Sequence, residues 1–280
     1  MTRSIVGLLL AMAGSASAIE PLERVGRLSA PAIREASGMV ASRRYPGIFW
    51  VHNDSKNAPE LFAVKRDGQL VRSYKVSAPN VDWEDIAIDD SGHLFLGDIG
   101  NNKALLPVRV IYQVAEPDPN VALKSSEPLP VLSSNFYAFP AGQRFDAEGL
   151  VVFGNQALII TKRLDGQPAE VFRLSLKPVA PLLRPAMPDR VGILPNCIEP
   201  VTGATLTRDG RILAVVTNRS VRVFETDFVT GWTPVGSTSF DAPDVEAITW
   251  VGLDLILASE DRSIYRVPES RWRAIRGVPR

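Results

Sequence analysis

Five times along this chain, in the same order, a short hydrophobic strand leads through a turn to a stronger hydrophobic strand that ends in a polar cluster. The units are REASGMVASRRYPGIFWVHND, DWEDIAIDDSGHLFLGDIGNN, DAEGLVVFGNQALIITKR, VTGATLTRDGRILAVVTNR and DVEAITWVGLDLILASEDR. A third strand follows each, as in ELFAVKR, RVIYQVAE, EVFRLSL, VRVFET and SIYRVPE. Gly, Asp, Asn and Pro punctuate runs rich in β-branched and aromatic residues, and no segment keeps a helical period over several turns. Units of roughly 40–50 residues with four strands each are what a β-propeller blade requires. The chain therefore reads as all-β, a propeller of five four-stranded blades, with six blades as the alternative. The Pro-rich stretch AEPDPNVALKSSEPLPVL reads as an insertion between the third and fourth strands of the second unit. The last unit supplies only three strands, and the N-terminal segment LERVGRLSA is expected to provide its fourth, closing the ring and removing an open edge.

The first 18 residues, MTRSIVGLLLAMAGSASA, have a basic start, an apolar run and an Ala-Ser-Ala ending, the pattern of a secretory signal peptide. The apolar run is too short to span a bilayer. The expectation is an exported protein, periplasmic or secreted, with residues 19–280 forming one propeller domain and no membrane insertion. Formal net charge is zero, which excludes the strong basic excess of a nucleic-acid binder. A single cysteine, Cys197, leaves no intramolecular disulfide, and one Cys with two His cannot build a Cys-His metal site. Neither a nucleophile-elbow motif nor a metalloprotease His motif is present.

The acids carry the chemical signal. Glu35, Glu84, Glu148 and Glu246 are read as one equivalent position, taken by Thr202 in the fourth unit, and the pairs Asp82-x-Glu84, Asp146-x-Glu148 and Asp244-x-Glu246 recur. In a propeller the start of the first strand and the end of the second lie on one face. The glutamates should therefore meet the clusters that end each second strand: His52-Asn53-Asp54, Asp98 with Asn101 and Asn102, Thr161-Lys162-Arg163, Thr217-Asn218-Arg219 and Glu260-Asp261-Arg262. Like charges converging on a narrow channel must be protonated, paired or metal-bound. Three arrangements meet that demand. One is Ca²⁺, which takes oxygen ligands, with Asn53, Asp98 and Asn218 joining the glutamates. The second is a structural ring neutralised by Arg163, Arg219 and Arg262. The third is direct ligand binding. Lys162, Arg163, Arg219 and Arg262 give one side of the mouth a basic character suited to an anionic substrate. His52 is a candidate general base.

At DWEDIA, GDIGNN and FDAEGLVV the chain resembles exported bacterial β-propellers of the phytase-like and esterase-like group. The unit D-A-E-G-L is similar to the blade motif of calcium-dependent propeller phytases. Glu35, with Asn and Asp from later blades, is more distantly similar to the lactonase and paraoxonase-type calcium propellers. Those families are usually six-bladed, against the five units counted here. The resemblance implies a Ca²⁺ at the channel mouth that polarises a phosphoryl or carbonyl oxygen or activates a water.

The resulting expectation is a Ca²⁺-dependent hydrolase acting on an ester or phosphoester of an anionic small molecule. Glu148 and His52 would be its catalytic residues, Lys162, Arg163, Arg219 and Arg262 its anion-binding residues, and Glu35, Glu84, Glu148, Glu246, Asn53, Asp98 and Asn218 its metal ligands. The rival is a non-catalytic module that binds a cell-envelope protein or glycan through an exposed aromatic patch of Trp50, Trp83 and Trp250.

Overall fold

A computed structural model describes residues 19–121, 127–140, 142–177, 184–227 and 231–273. The expected signal peptide lies outside the described residues. The chain begins with β1 (Glu23–Arg27) and then lays down four blades in sequence. The first comprises β2 (Ala36–Ala41), β3 (Ile48–Asn53), β4 (Glu60–Lys65) and β5 (Leu70–Lys75). The second comprises β6 (Trp83–Ile88), β7 (His93–Asp98), β8 (Arg109–Ala115) and β9 (Val131–Tyr137), with the Pro-rich insertion between its last two strands. The third is β10 (Asp146–Phe153), β11 (Gln156–Lys162), β12 (Glu170–Ser175) and β13 (Asp189–Ile193). The fourth is β14 (Val201–Leu206), β15 (Ile212–Thr217), β16 (Ser220–Thr226) and β17 (Trp232–Ser239). The fifth has β18 (Val245–Val251), β19 (Asp254–Ser259) and β20 (Ser263–Val267) from the C-terminal end, and β1 as its outermost strand. A single helical turn, α1 (Glu269–Trp272), follows.

Five four-stranded antiparallel blades therefore form the ring, closed by the N-terminal strand as the repeat count requires. The register Glu23↔Arg266 and Arg27↔Ser263 fastens the two ends of the chain together. Leu22 and Leu28, on either side of β1, are buried, and the Leu28 N–H donates to the Arg262 carbonyl at 2.8 Å. Trp272 is fully buried against the fourth and fifth blades.

The inner strands β2, β6, β10, β14 and β18 pack on one another around the axis, and their alternating apolar residues form the clusters between blades. Trp50 and Trp83 are 0% exposed and Trp250 is 9% exposed. The aromatic docking patch expected from these three residues does not exist: they are the large side chains that fill the gaps between blades.

Each inner strand carries an extra residue at the same place, a β-bulge that bends the strand and re-aims one side chain. The register skips between Ala36 and Gly38, Trp83 and Asp85, Ala147 and Gly149, Val201 and Gly203, and Val245 and Ala247. The bulged residues are Ser37, Glu84, Glu148, Thr202 and Glu246. This corrects the equivalence read from the sequence. Ser37 occupies the position in the first blade, and Glu35 lies two residues earlier, level with Asp82, Asp146 and Asp244. Where the residue after the bulge is glycine, neighbouring atoms crowd it: the His52 ring at Gly38, the Ile160 and Ala204 side chains at Gly149 and backbone at Gly203. A Cβ on Gly203 would come within 2.5 Å of the Glu246 carbonyl.

Ring closure by β1 should contribute measurable stability. Deleting residues 19–28 removes two buried leucines, a loss of about 3–6 kcal/mol, and exposes the edge of β20. Thermal unfolding and size-exclusion chromatography should show a lower melting temperature and self-association. A truncated chain that melts with the full-length protein would contradict this role of β1.

Candidate functional site

At the face where inner strands begin, the bulge sorts side chains by chemistry. In the first and fourth blades the bulged residue is a hydroxyl that ties its blade to the next. Ser37 Oγ donates to the Glu84 carbonyl at 2.6 Å and Thr202 Oγ1 to the Val245 carbonyl at 2.7 Å. In the second and third blades the bulge instead delivers Glu84 and Glu148, both buried, and their carboxylates converge. Two triads share Glu84: Asp54, Asp82 and Glu84, and Glu84, Asp146 and Glu148. In each, one oxygen per residue lies within 4.8 Å of the others.

The loop after β7 makes room for this gathering. A Cβ on Gly100 would sit 2.1 Å from Glu84 Oε1 and 2.5 Å from Asp82 Oδ2, so any larger residue there would displace these two carboxylates. Asn101 N–H donates to Asp146 Oδ1 at 2.7 Å, which fixes that carboxylate. The inner oxygens have no such support. Glu84 Oε1, Asp146 Oδ2 and Glu148 Oε2 are buried without a hydrogen-bond partner. A buried carboxylate oxygen left unsatisfied is costly unless it is protonated or bound to a cation.

One cation answers the cluster directly. Lys162, opposite Asp146 in the β10–β11 ladder, donates through Nζ to Glu148 Oε1 at 2.5 Å. The arginine ring that would have made the acids purely structural is not assembled. Arg163 turns to Asp165 and Glu170. Arg219 and Asn218 lie exposed in the turn between β15 and β16. Arg262 holds a left-handed φ of 72° in the turn between β19 and β20. Arg109 donates to the Phe145 carbonyl and lies over the Phe139 ring.

Burial and crowding leave their mark on the acids. Burial first, then repulsion from Glu148, Asp54, Asp82 and Asp146, holds the Glu84 carboxyl well above the usual range. Burial pushes Glu148 up to about 8 against the opposing pull of Lys162, with Glu246 adding to the rise. Asp82 rises to about 6 through burial and the charges of Asp54 and Asp146. Glu246 rises to about 7, again through burial, with Lys162 opposing and Glu260 reinforcing. Burial opposes the Lys162 ammonium, but Glu148, Glu246 and Asp146 outweigh it and keep the group charged.

Several expected ligands lie outside this cup. Asn53 pins the segment that crosses from β1 to β2: its Oδ1 accepts from the N–H groups of Arg34 and Glu35, and its Nδ2 donates to the Ala32 carbonyl. Asp98 accepts from the backbone N–H groups of Val81 and Asp82. Glu35 accepts from Asn57 at the surface. His52 is fully buried, edge-on to Trp83, with Nδ1 3.0 Å from the Asn53 carbonyl and Nε2 directed at Gly38. Burial lowers its pKa, offset in part by the backbone of Asn53 and Asp85. Of the residues expected as ligands, Glu84 and Glu148 are brought together, Glu246 acts on Glu148 through its charge, and Asp54, Asp82 and Asp146 complete the cup.

Asp85 was not singled out in the sequence. Fully buried on β6, it reaches across the channel: Oδ1 accepts from the Ile86 N–H, and Oδ2 from Leu150 N–H at 2.8 Å and Ala204 N–H at 3.1 Å. One carboxyl thus joins the second, third and fourth blades beneath the acidic cup. The signal was there, since Asp85 stands where the other units place Gly38, Gly149, Gly203 and Ala247.

The raised acids carry a sign. A carboxyl whose folded-state pKa exceeds its unfolded value stabilises the fold below the unfolded value, near 4–4.5, and that contribution is lost as pH rises through the folded value. In chelator, melting temperature should therefore fall between about pH 5 and pH 8, the window set by Asp82, Glu246 and Glu148. Glu148→Gln should flatten the fall. A melting temperature that climbs across this range would contradict the assignment.

No family model matches the chain, and no curated protein does. Among solved structures it is similar to a catalytically inactive virginiamycin B lyase from Staphylococcus aureus with quinupristin, at 12% identity and a TM-score of 0.42. That match covers 82% of this chain and 65% of the lyase, so the chain spans just under two thirds of its length. A nidogen/laminin complex aligns at 10% identity and a TM-score of 0.48, over 84% of this chain and 76% of that one. The β-propeller domain of Cps50 (Swd1) from Myceliophteria thermophila aligns at 9% identity and a TM-score of 0.44, over 88% and 68%. None of these three is a phytase-like or lactonase-type propeller.

Proposed function

We propose that the acidic cup binds Ca²⁺ and that the protein is an exported Ca²⁺-dependent hydrolase of an ester or phosphoester of an anionic small molecule. The observation that carries the metal is the set of inner oxygens of Glu84, Asp146 and Glu148, buried and unpartnered within reach of one another. The donor set is all oxygen, with Asp54 and Asp82 completing it, which suits a hard cation. Bound there, Ca²⁺ would supply polarisation of a phosphoryl or carbonyl oxygen.

The chain's own residues divide the remaining work. Lys162, the one ammonium in contact with the cup among the described residues, receives the anionic group of the substrate once Glu148 is neutralised by a ligand other than Lys162. Glu246, partly exposed and raised by burial, is better placed than the enclosed His52 to take a proton from water. Export rests on the N-terminal leader pattern. The rival reading, a docking module, gains from a different observation. Val81, Leu105, Leu164 and Ile198, on loops of the acidic face, are between 50% and 79% exposed.

Turnover of p-nitrophenyl phosphate, p-nitrophenyl acetate and a γ-lactone, with and without Ca²⁺, tests the reading. Calcium-dependent turnover of at least one should fall a hundredfold or more in Glu84→Gln. Lys162→Gln should raise KM for anionic substrates and leave neutral ones unchanged. Background turnover by a protein that still binds Ca²⁺ would end the hydrolase reading, leave the metal site standing and favour the docking module.

A further inference from the structure

The opposite end of the channel has the reverse character. There the far ends of all five inner strands surround a cavity of about 270 Å³. Val40, Ile86, Leu206 and Trp250 give it an apolar wall. Trp250 also carries a buried indole N–H with no hydrogen-bond partner. Among the lining residues the only charged side chains are Arg43 and Arg208; no acid lines it. The Asp85 cross-link, with its bonds to Leu150 and Ala204, separates this cavity from the acidic cup.

Both guanidiniums are held by one carboxylate from the rim. Asp90, in the turn between β6 and β7, accepts from Arg43 Nη1 at 2.8 Å and forms an ion pair with Arg208, whose Nε lies 2.9 Å from the same Oδ1. These contacts join the first, second and fourth blades across the mouth. Arg208 is 71% and Asp90 53% exposed, whereas Arg43 is 19% exposed; exposed ion pairs such as Arg208–Asp90 are weak and readily exchanged. Asp90 thus stands where the anionic head of a ligand would stand, above an apolar well with net positive walls.

We infer that this mouth is a binding site for a small amphiphilic carboxylate, whose apolar body enters the well and whose carboxylate replaces Asp90 between Arg43 and Arg208. The apolar lining selects the body, and the paired guanidiniums select a carboxylate over a neutral head. The cavity is below the roughly 300–1,000 Å³ of drug-sized pockets, so the body must be short. The site is independent of the calcium reading and of its failure.

Octanoate is the probe, titrated calorimetrically into the full chain in chelator, with octanol and octylamine as controls. Octanoate should bind one per chain. Asp90→Asn, which removes the internal competitor, should tighten it several-fold, and Arg208→Gln or Arg43→Gln should weaken it tenfold or more. Glu84→Gln, at the other end of the channel, should leave it unchanged. Melting temperatures of each variant separate loss of binding from loss of fold. Absence of binding in both the wild type and Asp90→Asn would overturn the inference. So would octanol binding as tightly as octanoate, or full affinity in folded Arg43→Gln and Arg208→Gln proteins.

Discussion

Buried like charge at the narrow end of a ring is the constraint around which this molecule is arranged. Five inner strands meet at the axis with so little space that the residue after each bulge must be small or must reach across the channel. The bulged side chain is then forced toward the neighbouring blade. Where it is Ser37 or Thr202, it donates one hydrogen bond to that blade and the junction is closed. Where it is Glu84 or Glu148, no backbone donor among the described residues meets it, and two buried carboxylates gather with Asp146 beside them. Beyond the pairing of Glu148 with Lys162, charge that burial would ordinarily forbid is tolerated in two circumstances, protonation or a bound cation. The raised pKa values describe the first state, and the oxygen donor set invites the second.

The channel is consequently two sites rather than one passage. Asp85 closes its middle by accepting backbone N–H groups from the third and fourth blades. Above it the walls are acidic and polar. Below it they are apolar, with two arginines at the rim. The two ends therefore present separate chemistry.

The blade count, the closing strand and the insertion before β9 were legible in the sequence because repeats and strand punctuation are local signals. The face that gathers the acids followed from the same geometry. What the pattern could not supply was the one-residue accounting of the bulge. Aligning Glu35 with Glu84 matches acid to acid, whereas the fold matches Ser37 to Glu84. The small residues Gly38, Gly149 and Gly203 after the bulge carry the correct register, because the His52 ring crowds the first, the Ile160 and Ala204 side chains the second and the Glu246 carbonyl the third. Asn53 and Asp98 were drawn toward a metal by residue type, but each is already engaged by backbone N–H groups. Such bonds form across loops and leave no periodic trace. His52 was read as lying at the mouth, yet it is enclosed between Trp83 and Gly38, a contact between two blades that no single strand records.

The central claim is that the Glu84–Asp146–Glu148 oxygens are a cation site. Calorimetric titration of chelator-stripped protein with Ca²⁺, beside Glu84→Gln and Glu148→Gln, tests it most directly. The account predicts one ion bound per chain and loss of that binding in both variants. Glu84→Gln should also melt no lower than wild type in chelator, because it removes a repelled charge that has no cationic partner. Absence of binding at millimolar Ca²⁺, or undiminished affinity in the variants, would contradict it.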